Sequence, residues 1–266
     1  MINLRPEYAA KAIAMYLADS NGINNRYKSW DHCYLAFDKA RKDLDKGLTT
    51  DYDYLALHLS NYLGSWGMYR KSFLQNRDYR THLGAVKLLL TDPDCAKLQQ
   101  LPSVQSIDKH WKIIEDLWVT RFAQEYEVVG RMGIPGRDIT DTLATKILLG
   151  TCGCIPATDR FYKKGVGSFG GTQTFGLNSY SEIVRYYWEN WDEISKHLSG
   201  ISLVSQDDLT TLYPPMKLMD MCFWQIGSCI EEYDNRYYDN KKKTGKLFSE
   251  IKKDTDKHLA LIEFLK

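Results

Sequence analysis

Long apolar runs are missing from this sequence. No stretch approaches the roughly 18 consecutive apolar residues that a membrane-spanning helix needs. The start, MINLRPEYAA, also lacks the charged and then apolar pattern of a secretory signal peptide. These absences predict a cytoplasmic protein with no membrane partner.

The motifs of several enzyme classes are missing as well. The histidines form no HExxH pair and no cluster with carboxylates at metal-ligand spacing, and neither a Walker loop nor a GxSxG elbow is present. We therefore expect no catalytic metal. The run GVGSFG at 165–170 has the letters of a dinucleotide-binding loop, but no strand precedes it and no βαβ unit surrounds it. We interpret it as a flexible loop.

The six cysteines are scattered along the chain. Cys152 and Cys154 are separated by one residue, whereas a zinc knuckle or a redox pair has two residues between its cysteines. Reduced, mostly buried thiols are the favoured interpretation, and disulfide pairing is the alternative.

The charges that are present nearly cancel. The chain has 266 residues, of which 35 are Lys or Arg and 34 are Asp or Glu, and 13% are aromatic. This composition excludes a disordered tail and a uniformly basic nucleic-acid coat. Any polyanionic partner must therefore be bound by a local basic patch.

Helical periodicity dominates the sequence. In SIDKHWKIIEDLWVTRFAQEYEVV, apolar residues recur every three or four positions behind a Ser106 or Asp108 cap: Ile107, Trp111, Ile114, Trp118 and Phe122. Further helical patterns cover residues 6–19, 29–46, 51–64, 78–90, 138–150, 159–165, 179–198, 214–233 and 246–265. Strand patterns are scarce, so the predicted fold is all-α.

We expect one compact multi-helix unit over residues 1–266, with a candidate lobe boundary near residues 100–106. Two helical lobes would then flank a cleft, which is a common place for a ligand. The basic run NKKKTGK at 240–246 is interpreted as a solvated charge run or as a separator before the last helix.

Asp159 is the leading candidate for a catalytic residue. It follows Pro156-Ala157-Thr158 and precedes a run of aromatic and basic residues without a helix breaker, as a helix N-cap does. One interpretation is a capping aspartate worth about 1 kcal/mol. The other is a carboxylate at the mouth of a cleft, near Lys163 and Lys164, which could approach phosphates.

The run IPGRDITDTLATKILLGTCGCIPATDRFYKKG at 134–165 resembles the catalytic segment of helix-hairpin-helix DNA glycosylases, the superfamily of endonuclease III and the 3-methyladenine glycosylases. In that family a Pro-Gly hairpin, an apolar helix and a short loop lead to an aspartate. The stretches 61–82 and 216–227 resemble other parts of the same domain. The resemblance implies that Asp159 takes the place of the catalytic aspartate and that Gly133 and Gly136 belong to the DNA-binding hairpin.

This chain departs from the family at three places. Asp138 replaces the second glycine of the hairpin, and the cluster-binding cysteines of endonuclease III are missing. The lysine with which bifunctional members form a Schiff base is also missing, and Lys146 lies too deep in its helix to replace it. The resemblance thus implies a monofunctional enzyme that requires no cofactor.

The implied partner is double-stranded DNA with a modified base, and no obligatory protein partner is inferred. The enzyme would flip this base out of the duplex, and Asp159 would stabilise the oxocarbenium-like sugar and orient the attacking water. Trp66, Met68 and Tyr69 are the expected base contacts, with core residues beneath a turn as the alternative. The expected DNA-binding cations are Arg70, Lys71, Arg77, Arg80, Lys163 and Lys164.

The chain also resembles prokaryotic antiphage glycosylases that remove glucosylated hydroxymethylcytosine from phage DNA. An aromatic-rich, polar pocket would suit a glucosylated base, and it would suit an alkylated purine equally well. Two other classes stay open: a noncatalytic helical DNA-binding module, in which Asp159 only caps its helix, and a helical protein-interaction module without salt-dependent DNA affinity.

Overall fold

The computed structural model describes residues 1–20, 25–127, 139–205 and 207–239, with side chains described as far as Glu232. This part of the chain is helical, and its β structure is limited to the isolated bridge between Val204 and Leu212. The predicted all-α class is therefore confirmed. Among the described residues, none of the helices has both the length and the apolar character needed to cross a bilayer.

Apart from the short helix Pro93–Lys97, which the sequence did not predict, the described helices follow the predicted segments closely. They are α1 (Pro6–Ser20), α2 (Lys28–Asp45), α3 (Tyr52–Ser65), α4 (Leu83–Thr91), α5 (Pro93–Lys97), α6 (Ile107–Asp116), α7 (Phe122–Glu125), α8 (Asp141–Thr151), α9 (Arg160–Ser168), α10 (Leu177–His197) and α11 (Pro215–Asp239). The segment predicted at 78–90 begins as a 3₁₀ turn, Tyr79–His82, before α4. The predicted loop at 240–246 and helix at 246–265 lie outside the described residues.

The described residues form two compact units. The first unit comprises Met1–Asp19, Thr158–Ser202 and the described part of the chain from Leu218 onward. The second comprises the described residues of Ser20–Ala157 and Leu203–Lys217. Residues 100–106, where a lobe boundary is predicted, lie within the second unit.

The core of the second unit lies where α2, α3 and α8 pack together. Phe37 of α2, Leu59 of α3 and Ile147 of α8 are fully buried there. Side chains fix where two of these helices begin: Asp51 accepts a hydrogen bond from the amide of Tyr54, and Thr140 accepts one from the amide of Leu143. These caps pair amides that have no partner within the helix.

The first unit contains a very close contact between α9 and α11. A Cβ atom on Gly165 would overlap the carbonyl oxygen of Phe223, and a Cβ atom on Gly227 would overlap that of Phe161. The interpretation of GVGSFG as a flexible loop is therefore wrong. Its first four residues continue α9 to Ser168, and glycine is needed at 165 because the α11 backbone leaves no space for a side chain.

One side chain of the helical segment near residue 107 is placed differently from the prediction. Ile107, Trp111 and Ile114 are buried, but Trp118 is only half-buried and Leu117 is buried instead. The cause is a π-helical stretch, Leu117–Arg121, between α6 and α7. A π turn adds one residue to the helical repeat, so the buried positions shift before Phe122 returns to the core.

Candidate functional site

Asp159 is the N-cap of α9. Its Oδ1 accepts hydrogen bonds from the backbone amides of Phe161 and Tyr162, both at 3.0 Å, and the residue is half-buried. The predicted capping geometry is thus confirmed. The catalytic role of Asp159 stays a prediction, because a capping carboxylate can have this geometry with or without catalysis.

The segment before Asp159 is buried throughout, from Thr151 to Thr158. Two side chains of α2 bind carbonyl groups at the end of α8: Trp30 Nε1 donates to the oxygen of Leu149 at 2.9 Å, and Arg41 Nη1 donates to that of Thr151 at 2.7 Å. These carbonyls belong to the last turn of the helix, where some have no intrahelical donor. Gly153 then turns the chain with a φ of +65°, a conformation that favours glycine.

The cations that follow Asp159 are partly neutralised within the first unit. Lys164 Nζ lies 2.7 Å from Glu231 Oε2, and Arg160 Nη1 lies 3.5 Å from Glu231 Oε1. The hydrogen bond from Lys164 lowers the pKa of Glu231, so this carboxylate stays charged. Lys163 is half-buried. The positive charge that α9 offers to a phosphate is therefore smaller than its sequence suggests.

The predicted base-contact residues belong to the loop at 66–69, which follows α3 in the second unit and which we call the Trp66 loop. The amide of Met68 donates to the carbonyl of Leu63, and Gly67 has a φ of +75°. This is a Schellman-type helix end, in which a left-handed glycine ends the helix. Trp66, Met68 and Tyr69 are half-buried there.

The Trp66 ring lies among residues that the sequence did not nominate. Lys146 Nζ is 4.3 Å from the centre of the ring, the Arg26 guanidinium carbon is 5.1 Å away, and the Tyr27 ring is 5.7 Å away. Lys146 is only 2% exposed, so its charge meets the aromatic face in a place with little water. We call Arg26, Tyr27, Trp66 and Lys146 the Trp66 cluster. The run RYKSW at 26–30, which mixes cations and aromatics at a helix start, was a signal for it.

Tyr69 belongs to a chain of hydrogen bonds that crosses the second unit. Its Oη is 2.7 Å from Ser60 Oγ and 2.9 Å from His82 Nε2, while His82 Nδ1 is 2.8 Å from Tyr126 Oη. His82 is fully buried, and burial lowers its pKa to about 4. The imidazole is therefore neutral at physiological pH and links the two tyrosines.

The four predicted cations of the second unit differ in what they contact. Arg77 Nη1 donates to the carbonyl of Tyr126 at 2.8 Å, and Arg80 Nε lies 3.1 Å from Asp53 Oδ1. Arg70 and Lys71 are exposed, and within the described chain their side chains have no ionic or hydrogen-bonding partner. Of the four, Arg70 and Lys71 are thus the cations best placed to bind a polyanion.

The other predicted DNA-binding residues, Gly133 and Gly136, lie outside the described residues, as does Asp138. Asp159 lies in the first unit and Trp66, Met68 and Tyr69 in the second. Over the described ranges, no three His, Cys, Asp or Glu side chains are arranged to hold a metal ion.

The chain was compared with protein-family models, curated proteins and solved structures. None of the three comparisons found a match.

Proposed function

We propose that this protein is a monofunctional DNA glycosylase, which flips a modified base out of duplex DNA and hydrolyses its N-glycosidic bond. The observation that carries the proposal is the placement of Asp159. It is a half-buried carboxylate at the start of a helix, oriented by two backbone amides, and it follows a buried segment that ends an apolar helix. The run at 134–165 resembles the catalytic segment of helix-hairpin-helix glycosylases in this same order.

The proposed chemistry needs one fixed negative charge. As the glycosidic bond breaks, the sugar gains positive charge, and the Asp159 carboxylate stabilises it. The same group orients the water that attacks C1′ and accepts its proton. The products are a free base and an abasic site, and no cofactor takes part.

The flipped base is assigned to the end of α3. Trp66, Met68 and Tyr69 supply the surfaces against which a base stacks. Arg26 and Lys146 lie over the Trp66 ring and hold it in place for such a contact. Arg70 and Lys71 bind the DNA backbone beside them.

A noncatalytic DNA-binding or protein-interaction module is the second candidate. The cap that Asp159 forms favours either noncatalytic module, because it gives the carboxylate a structural task. The pairing of Lys164 with Glu231 favours the protein-interaction module, because it reduces the charge that α9 offers to a phosphate. A DNA-binding module predicts salt-dependent DNA affinity without base release. A protein-interaction module predicts neither property.

The test is abasic-site formation on a panel of duplexes that contain uracil, alkylated or oxidised purines, hydroxymethylcytosine or glucosylated hydroxymethylcytosine. Alkaline strand cleavage reveals the abasic sites. Cleavage of one duplex identifies the base, and we propose glucosylated hydroxymethylcytosine first, in keeping with an antiphage role. Cleavage of alkylated DNA alone would overturn that substrate, and no cleavage of any duplex would favour the noncatalytic module.

A further inference from the structure

A pocket between α2 and α3 of the second unit has no role in the proposed base release. Its volume is about 490 Å³, which is within the range of small-molecule sites. Its apolar lining comprises Leu35, Ala36 and Ala40 of α2 and Leu55 of α3. The two alanines have short side chains, which leave space between the packed helices. We call this the α2–α3 pocket.

Four polar side chains of the α2–α3 pocket have hydrogen-bonding capacity that the described chain does not use. They are the hydroxyls of Thr49, Thr50 and Tyr54 and the imidazole of His58, and none of them forms a side-chain hydrogen bond within the described residues. Tyr54 is 52% exposed, and Thr49 is exposed as well, so a ligand can reach them from solvent. The rings of Tyr54 and His58 lie 4.3 Å apart and add an aromatic surface.

These four groups can each donate and accept. Partial burial lowers the pKa of His58, and the charge of His32 acts in the same direction. The His58 imidazole is therefore neutral at physiological pH, with one donor and one acceptor nitrogen. A hydroxyl group also donates and accepts. A ligand with several hydroxyl groups matches this set, because each of its own hydroxyls has the same two capacities.

The basic side chains of the pocket are paired with carboxylates. Lys39 Nζ lies 2.6 Å from Asp43 Oδ2, and His32 Nδ1 lies 3.1 Å from Asp207 Oδ2. Asp51 adds an exposed carboxylate to the lining. A phosphate would have to compete with a carboxylate for each basic group and would be repelled by Asp51. The lining therefore favours a neutral ligand.

We propose that the α2–α3 pocket binds a neutral pyranose sugar. The sugar hydroxyls form hydrogen bonds with Thr49, Thr50 and His58. The C–H face of the sugar ring packs on the Tyr54 ring and on the apolar lining. The proposal is independent of the glycosylase activity, because it rests on the pocket alone and involves no bond breaking.

The test is saturation-transfer NMR of the full-length wild-type protein, titrated with methyl α-glucopyranoside, methyl β-glucopyranoside or methyl β-galactopyranoside. We expect at least one of them to bind with a dissociation constant on the order of 1 mM, as suits a ligand of about 13 non-hydrogen atoms. Glucose 6-phosphate should bind no more tightly than the glucosides. Maltose identifies the source: tighter binding than the glucosides indicates the end of a glycan, and equal binding indicates a free monosaccharide, and either result supports the site.

Two variants connect binding to this pocket. Thr50→Val keeps the side-chain shape and removes one hydroxyl, and Tyr54→Ala removes the exposed ring. Each should weaken binding by roughly 2-fold to 10-fold. Leu57→Ala, at an exposed position of α3 outside the pocket, is the matched control and should bind as the wild type does.

Three results would overturn the proposal. One is the absence of saturation transfer to all three glycosides in the wild type, which requires no variant to fold. Another is binding of glucose 6-phosphate at least about 10-fold more tightly than the glucosides, because that would show an anion site. The third is wild-type sugar affinity in both Thr50→Val and Tyr54→Ala, because the sugar would then bind elsewhere.

Discussion

The helix that carries Asp159 and the loop that carries Trp66 are anchored in different ways. Helix α9 contacts α11 through backbone atoms at Gly165 and Gly227. The Trp66 loop is held through side chains, because the Tyr69 hydroxyl is hydrogen-bonded to the side chains of Ser60 and His82.

This difference predicts different responses to acid. Between α9 and α11 the titratable carboxylate is Glu231, whose pKa is lowered from 4.5 by Lys164, so it loses its charge only in stronger acid. The anchor of the loop, in contrast, includes a buried neutral histidine, which begins to cost stability below pH 6.5. Protonation of His82 would place a charge in a buried position and change which atoms donate in the hydrogen-bond chain. We therefore expect acid to loosen the Trp66 loop before it loosens the start of α9.

We expect the strongest response from the pH dependence that His82 contributes to stability. Its pKa is lowered from 6.5 to about 4 in the folded state. Below pH 6.5 the unfolded chain therefore binds a proton that the folded chain does not, and stability is lost as the pH falls towards 4. The loss is on the order of 3 kcal/mol.

Urea unfolding followed by tryptophan fluorescence at several pH values measures this loss. His82→Gln should lower stability at pH 7.5 but weaken its dependence on pH between 6.5 and 4. His197→Gln, at an exposed position on α10, is the matched control and should keep the wild-type dependence. An unchanged dependence in His82→Gln would show that His82 is not the anchor that titrates.

The next effect concerns the Trp66 ring. Trp66→Ala should reduce the rate of base release by about 10-fold to 100-fold, since stacking of one base on an aromatic side chain is worth roughly 1–3 kcal/mol. Trp66→Phe keeps an aromatic face for Lys146 and should retain most of the rate. Single-turnover base release measures both. Trp188→Ala, which removes a half-exposed tryptophan of α10, is the control, and an equal loss in that variant would contradict the assignment.

The smallest effect concerns DNA affinity. Replacing both Arg70 and Lys71 by Gln should reduce the slope of log K against log salt by about 0.9 for each phosphate that the protein no longer neutralises. Fluorescence anisotropy of a labelled duplex at several salt concentrations measures the slope. Arg80→Gln should reduce it less, because Asp53 already pairs with Arg80. A larger reduction in Arg80→Gln would mean that the Arg80 charge, not the exposed pair, meets DNA.

The helices and the Asp159 cap were predictable because they depend on local rules. Apolar spacing and capping residues lie within a few positions of each other, so one sequence window contains the whole signal. The environment of Trp66 was not predictable, since Lys146 is 80 residues away along the chain and reaches the ring only through tertiary packing.

Two features that the sequence did not indicate have the same physical origin. Gly165 resembles a loop residue by propensity, but its role is set by the backbone of α11, which the local sequence does not contain. Whether the Lys164 ammonium group is already paired likewise depends on Glu231, a residue of another helix. Local sequence therefore indicated which side chains are polar but not which of them are already paired.

Base release by Asp159→Asn on the duplex that the wild type cleaves decides whether the Asp159 carboxylate is catalytic. Asparagine caps a helix about as well as aspartate, so this change removes the charge and keeps the fold. Asp51→Asn, at the N-cap of α3, is the matched control. We expect Asp159→Asn to lose at least about 100-fold in rate with unchanged DNA affinity, while Asp51→Asn keeps the wild-type rate. Wild-type base release by Asp159→Asn would contradict a catalytic role and leave Asp159 as a helix cap.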